Sequence, residues 1–195
     1  MTAFVKVCGL THAEDVAAAV EAGADALGFV FAESSRRVSP EQAAKLAETI
    51  PSDVLRVAVM LHPSSDEWHA VASIFQPDVL QTDVEDFATL DVSATYRRWP
   101  VYRQRGDAQV APEAAEYVYE GGKSGQGETV DWQRASAVAR SGRMILAGGL
   151  GPDNVAEAVR VVRPWGVDAS SGIERAPGRK DAAKISAYVA SAKAA

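Results

Sequence analysis

Cysteine is nearly absent. The chain of 195 residues holds one, Cys8, so no disulfide forms within it, which fits a reducing compartment. Long apolar runs are missing: none approaches the roughly 18 residues a membrane-crossing helix needs. The opening residues, MTAFVKVCGL, lack the basic segment followed by an apolar stretch of a secretory leader. Excess positive charge is missing too. Lys and Arg total 20 against 26 Asp and Glu, a formal net charge of -6, with a pI near 5.1. That argues against a nucleic-acid or anionic-membrane binder, which carries a basic stripe. A small anion remains open, because a few local cations and backbone N–H groups suffice for it. The three histidines, His12, His62 and His69, show no H-x-x-x-H or Cys/His spacing, so no metal site is expected. The expected setting is the cytoplasm, with a small molecule as partner.

What is present is ordinary in bulk and informative in order. Hydrophobic residues make up 47% and charged residues 24%, as in globular proteins generally, and the length suits one domain over 1–195. Short β-branched or aromatic runs alternate with alanine-rich amphipathic segments. Strands are expected at 4–8, 26–31, 55–61, 79–82, 101–103, 116–119, 143–147 and 166–169. Helices are expected at 13–22, from Pro40, at 64–75, 132–140, 152–162 and 181–193, with only a weak signal at 85–90. Thr11 with Glu14, Ser39 with Gln42, and Ser64 with Glu67 read as capping boxes. Gly23 reads as the residue closing the first helix, and Pro152 as the start of the helix at 152–162. Such alternation implies a parallel sheet with right-handed crossovers. Eight units of roughly 24 residues make a minimal-length (β/α)8 TIM barrel, a single-domain α/β fold. The rival, a doubly wound open sheet, would carry G-x-G-x-x-G after its first strand; the chain reads Cys8-Gly9-Leu10-Thr11 there.

In a barrel, catalytic groups lie at the C-terminal ends of strands, and the unusual residues fall there. On the first strand Phe4, Lys6 and Cys8 share one face, and Val5 and Val7 the other. Cys8 is either a small buried hydrophobe or a functional thiol. Lys6, directed inward, needs a partner, and Asp168 on the closing strand is the candidate; positive charge there would favour a Cys8 thiolate. Gly148 and Gly149 after the seventh strand, with Ser170, Ser171 and Gly172 after the eighth, suit a phosphate cradle, since small residues let N–H groups approach a dianion. Arg36 and Arg37 are solvated loop charges or a carboxylate clamp. Asp131 is the cap of the helix at 132–140, or a general acid at the barrel mouth.

The chain resembles the phosphoribosylanthranilate isomerase family. The resemblance rests on Lys6-Val7-Cys8-Gly9-Leu10-Thr11, on Gly28-Phe29-Val30-Phe31 with Ser35-Arg36-Arg37-Val38-Ser39-Pro40, on Asp131-Trp132, on Gly148-Gly149-Leu150, and on Val167-Asp168-Ala169-Ser170-Ser171-Gly172. It implies an Amadori rearrangement of N-(5-phosphoribosyl)anthranilate in tryptophan biosynthesis, without a cofactor. Pro152 and Asn154, and Pro177-Gly178 with Lys180-Asp181, belong to the same resemblance. It further implies Asp131 as the acid that opens the sugar ring, Cys8 as the base that takes the C2 proton, Arg36 on the anthranilate carboxylate, and the glycine and serine loops on the phosphate. A free thiol near pKa 8.5 is only a few per cent ionised at neutral pH, so the site is expected to lower that of Cys8. The chain departs from the family in two places: Asp83 stands where histidine is usual, and Glu128 where lysine is common. Both make the site more acidic, which disfavours a dianionic substrate unless geometry compensates. Two other readings stay open: an isomerase of another phosphosugar, the histidine-pathway aminoaldose, whose enzymes usually place an aspartate at the Cys8 position, and a phospholigand-binding barrel with little catalysis. Monomer and homodimer are equally compatible with the sequence.

Overall fold

The structure, a computed structural model, describes residues 2–104, 112–121 and 130–195. Eight parallel strands close into a barrel in chain order. They are β1 Phe4–Cys8, β2 Ala26–Val30, β3 Leu55–Val59, β4 Val79–Asp83, β5 Arg97–Gln104, β6 Glu116–Gly121, β7 Arg143–Leu146 and β8 Gly166–Ala169. Around them lie α1 Ala13–Glu21, α2 Pro40–Ala47, α3 Ser65–Ile74, α4 Trp132–Val138, α5 Val155–Val162 and α6 Ala182–Ala194. The link after β4 is a 3-10 helix, Val84–Ala88, which explains its weak signal in the sequence.

Two apolar cores follow from strand alternation. Outward residues such as Val5, Val7, Leu27, Phe29, Leu80 and Leu146 pack under the helices. Inward residues Ala26, Val57, Val79, Trp99, Val118 and Ile145 fill the barrel's lower half. Phe4 and Trp165 stack at the base, with ring centroids 4.4 Å apart. The floor is therefore dry, and polar chemistry is confined to the upper end.

Local signals account for most boundaries. Ser39 with Gln42, and Ser64 with Glu67, form reciprocal capping boxes. Gly23 adopts φ +83, while its N–H reaches Val20 O and that of Ala24 reaches Ala19 O, the bond pair of a Schellman end. The box expected at Thr11 is absent. His12 is the cap residue of α1 and makes no side-chain cap bond; the Thr11 hydroxyl donates to Gly178 O at 2.7 Å, and Glu14 pairs with Arg179. Both are drawn away by a hairpin that the sequence did not announce, β9 Glu174–Ala176 with β10 Arg179–Lys180. Gly178 sits at its turn with φ +76, where a side chain would also strike Ser35 O. The helix expected from Pro152 begins at Val155, because Asn154 spends its side chain on Gly151 N–H and Gly149 O and holds residues 149–154 as a turn. β5 is longer than its apolar run suggested. Trp99 faces the inner core, and Arg97 pairs with Glu116 at the rim.

Candidate active site

A cavity of about 280 Å³ opens at the C-terminal ends of the strands, where barrel folds keep their chemistry. Its wall includes Cys8 from β1, Arg36 from the β2 loop, Gln81 from β4, Arg103 from β5, Glu120 from β6, and Gly148, Gly149, Asp168, Ser170 and Ser171 from β7, β8 and their loops. The barrel thus gathers residues spread over most of the chain.

Cys8 ends β1 and is nearly buried, yet its side chain lines the cavity. Gly28 lies beside it on β2, and a Cβ there would come within 2.9 Å of Cys8 Sγ. Glycine is therefore required at that position to leave the sulfur its place. Below, Lys6 Nζ donates to Asp168 Oδ2 at 2.8 Å, in register across β1 and β8. Burial disfavours the Lys6 charge, but Asp168 and Cys8 together outweigh it and hold the ammonium well above the ordinary lysine range. The Cys8 thiol departs from expectation. Burial pushes it up; Lys6 and Lys180 pull it down, while Asp168 adds to the rise, and the net direction is upward. The sequence showed the cation beside the sulfur but not the depth of burial, which is the larger effect.

Arg36 does not stand free. Its Nε and Nη2 donate to the two carboxylate oxygens of Glu174 at 2.7 and 2.8 Å. Lys180, fully buried, donates to the same Glu174 at 2.9 Å and to Ser170 O at 3.0 Å. Two cations thus share one carboxylate. Burial alone would raise the Glu174 carboxyl, but Arg36 and Lys180 hold it below the usual range. The guanidinium approaches so closely because Gly9, at φ +74, has no Cβ; one would meet Arg36 Cδ at 2.5 Å. Glu174 and Lys180 belong to the unannounced hairpin; Lys180 stands in a stretch that carries the family resemblance but has no role assigned by it, and Glu174 has no signal at all.

On the opposite wall, Arg103 donates from Nε and Nη2 to Asp83, the closest contact being 2.5 Å, and from Nη1 to Glu120. Asp83 is therefore no bare charge at the mouth: Arg103 pairs with it, and His62 Nε2 lies 3.8 Å from its Oδ2. Arg37 lies outward, paired with Glu33. Glu128 and the glycine-rich stretch 122–129 lie outside the described residues.

The phosphate candidates come together. Gly148 and Gly149 take φ +98 and +63. A 3-10 helix, Ser171–Ile173, opens directly after Ser170. Gly172 packs against the β7 loop so tightly that a Cβ would overlap Leu150 O; its side is turned to that loop, and it does not line the cavity. Asp131 caps α4, its Oδ1 accepting from Gln133 N and Arg134 N. Its own N–H donates to Gln104 Oε1 at the end of β5, 3.0 Å away. Its side chain is 47% exposed, it follows β6 across the ring from β1, and it is not among the residues lining the cavity. Gln81 opens the stretch Gln81-Thr82-Asp83-Val84, where many members of the family read Gln-Leu-His-Gly, and the sequence assigned it no role. It is buried in the cavity wall with Oε1 unpartnered, as is Asp168 Oδ1. Among the described residues no group of three or more acidic, cysteine or histidine side chains is placed to hold a metal, and no helix is long and apolar enough to cross a membrane.

Comparison with known proteins matches the chain to a family. The family model of N-(5'-phosphoribosyl)anthranilate (PRA) isomerase matches residues 5–191. The N-(5'-phosphoribosyl)anthranilate isomerase of Geobacter sp. (strain M21) is 40% identical over 198 residues, covering 97% of each chain. A crystal structure of monomers generated from the dimeric phosphoribosylanthranilate isomerase of Thermotoga maritima superimposes with TM-score 0.83 at 31% identity, covering all of both chains. Another, of a phosphoribosyl anthranilate isomerase in complex with reduced 1-(o-carboxyphenylamino)-1-deoxyribulose 5-phosphate, gives 0.82 at 32% identity, again over both chains in full.

Proposed function

Since the chain belongs to the N-(5'-phosphoribosyl)anthranilate isomerase family, we propose that it works with Cys8 as general base and Asp131 as general acid. Its activity is the isomerisation of phosphoribosylanthranilate, a step of tryptophan biosynthesis. The observation that carries the assignment of roles is the thiol at the cavity wall, with two lysines near it and a glycine reserving its space.

The substrate has a phosphate at one end, an aromatic carboxylate at the other and a sugar between. In this reading the loops after β7 and β8 take the phosphate, through Gly148, Gly149, Ser170, Ser171 and the packing supplied by Gly172. Arg36 takes the carboxylate. Its Nε–Nη2 edge is spent on Glu174, and the Nη1 side remains to face the ligand. Arg36, Glu174 and Lys180 together carry one net positive charge, which suits an anion. Asp131 protonates the ring oxygen, the ring opens, and the nitrogen lone pair forms the Schiff base at C1. The Cys8 thiolate removes the C2 proton, and the electrons flow to that nitrogen to give the enolamine. Protonation at C1 with loss of the proton on the C2 hydroxyl gives the ketone. Each of the two groups is asked for about 10²–10⁴-fold. The thiolate is costly to form in so buried a place, and Lys6 and Lys180 offset part of that cost.

The relatives include an enzyme described as dimeric and one holding a reduced product analogue. A homodimer is one form proposed for this chain, and the same analogue is its natural probe. The test is turnover of Cys8→Ala and Asp131→Asn, with circular dichroism as the control for folding. Each is expected to lose at least about 10²-fold in kcat with unchanged spectra. Turnover near that of the unaltered protein in either variant removes that residue from the mechanism.

A further inference from the structure

Two residues of the β9–β10 hairpin stand behind the cavity wall without reaching the cavity. Glu174 and Lys180 face each other across the hairpin. The Lys180 side chain is fully buried and that of Glu174 is 7% exposed; neither is among the residues lining the cavity. An ammonium has three N–H donors. Lys180 has three acceptors for them: Glu174 Oε1 at 2.9 Å, Ser170 O at 3.0 Å and Ser170 Oγ at 3.2 Å. No donor is left for a ligand. Burial pushes the ammonium below the ordinary lysine range, although Glu174 and Cys8 pull the other way. Replacing a buried ion pair by apolar packing costs a protein little, so this pair calls for a role beyond closing the hairpin.

The neighbours supply that role. Arg36 and Ser170 both line the cavity, and each is bonded to the pair from behind. Ser170 Oγ accepts from Lys180, so its own hydroxyl proton is left to donate elsewhere. Glu174 takes Nε and Nη2 of Arg36, so the Nη1 side is left. Each side chain thereby keeps a donor for the cavity, which is what an anion needs. Gly9 lets the two approach one another: a Cβ there would meet Arg36 Cδ at 2.5 Å and Ser170 Oγ at 2.9 Å. The hairpin is fastened from outside as well. Asp15 of α1 accepts from Lys180 N at 3.2 Å, and Lys184 of α6 donates to Glu174 O at 2.8 Å.

We infer that Glu174 and Lys180 are positioning residues for the reaction: Glu174 sets Arg36 for the substrate's carboxylate, and Lys180 fixes Glu174 and Ser170 together, so that one ammonium orders the protein groups at both charged ends of the ligand. The inference rests on the carboxylate and phosphate ends assigned above.

The test compares two ligands by calorimetry. Reduced 1-(o-carboxyphenylamino)-1-deoxyribulose 5-phosphate carries both charged ends; its phenylamino counterpart lacks only the carboxylate. Glu174→Gln, which keeps the size of the side chain, is expected to weaken the first about fivefold or more and the second by less than about twofold. Lys180→Met is expected to weaken both about fivefold or more, because Ser170 loses its hold too. In Arg36→Met protein, Glu174→Gln is expected to change binding of the first ligand by less than about twofold, since a residue acting through Arg36 has nothing left to act on. In turnover, Glu174→Gln is expected to raise KM about fivefold or more and to change kcat by less than about twofold, as loss of uniform binding does. A merely structural role predicts equal losses for both ligands with Glu174→Gln, and the same loss with or without Arg36; either result would overturn the inference. So would a Lys180→Met protein that binds the second ligand as tightly as the unaltered one. Undiminished binding of the first ligand by Arg36→Met would instead overturn the carboxylate assignment, and the inference with it.

Discussion

Cys8 shows how one residue is governed by competing terms of known sign. Burial raises its pKa, and two lysines lower it without cancelling the rise. If it is the base, kcat/KM climbs with pH through an apparent pKa above the roughly 8.5 of a free thiol. Lys6→Met removes the first-named counterweight, so its limb moves further toward alkaline pH. Initial rates between about pH 6 and 10 check this; an ascending limb centred below about 8 would contradict the burial argument. The inward position of Cys8 and Lys6 could be read from alternation along β1, and Asp168 as the partner of Lys6 from its depth on the closing strand. The depth of Cys8 could not, because Gly28, whose missing side chain leaves the sulfur its place, is contributed by another strand.

Elements were legible where their signals are local. Seven of the eight strands, and helices with a serine cap or a closing glycine, fall within a few residues of expectation. What escaped was decided by tertiary contacts. Thr11 and Glu14 would cap α1 in isolation, but the β9–β10 hairpin claims both. A three-residue strand facing a two-residue one carries no periodicity, so Glu174, and the contacts by which it and Lys180 set the charge around Arg36, could not be foreseen. The loops after β7 and β8 illustrate the same point in packing. A methyl group at Gly172 would overlap Leu150 O, so Gly172→Ala must push these loops apart. The expected result is a rise in KM of about tenfold or more and weaker inhibition by inorganic phosphate, with a smaller change in kcat, since binding is lost in ground and transition states alike. An unchanged KM would remove these loops from the phosphate site.

At the scale of the whole molecule, charge is arranged by depth. The lower rim is tied by Glu116, which accepts from Arg97, Arg143 and Trp99. Burial opposes its ionisation, but these partners outweigh it and hold the carboxyl below the ordinary range; Glu174 near the top behaves alike. A carboxyl depressed in the folded state lends stability that is full above its unfolded pKa of about 4.3 and is lost as pH falls through the lower folded value. Urea midpoints are therefore expected to hold from about pH 7 to 5 and to fall below about pH 4. Glu116→Gln costs about 1 kcal/mol at neutral pH and flattens that fall; an equally steep fall in the variant would contradict the assignment. The barrel's larger consequence is to bring the C-terminal end of the first strand and Asp131, which follows the sixth, to one end of the molecule, and the proposed mechanism divides the proton transfers between Cys8 and Asp131. Loss of hydrogen from C2 of the substrate, followed by NMR in D2O, tests it most directly. With Cys8→Ala the C2 hydrogen is expected to stay in place while the spectra report an intact fold, and its loss at the unaltered protein's rate would contradict the claim.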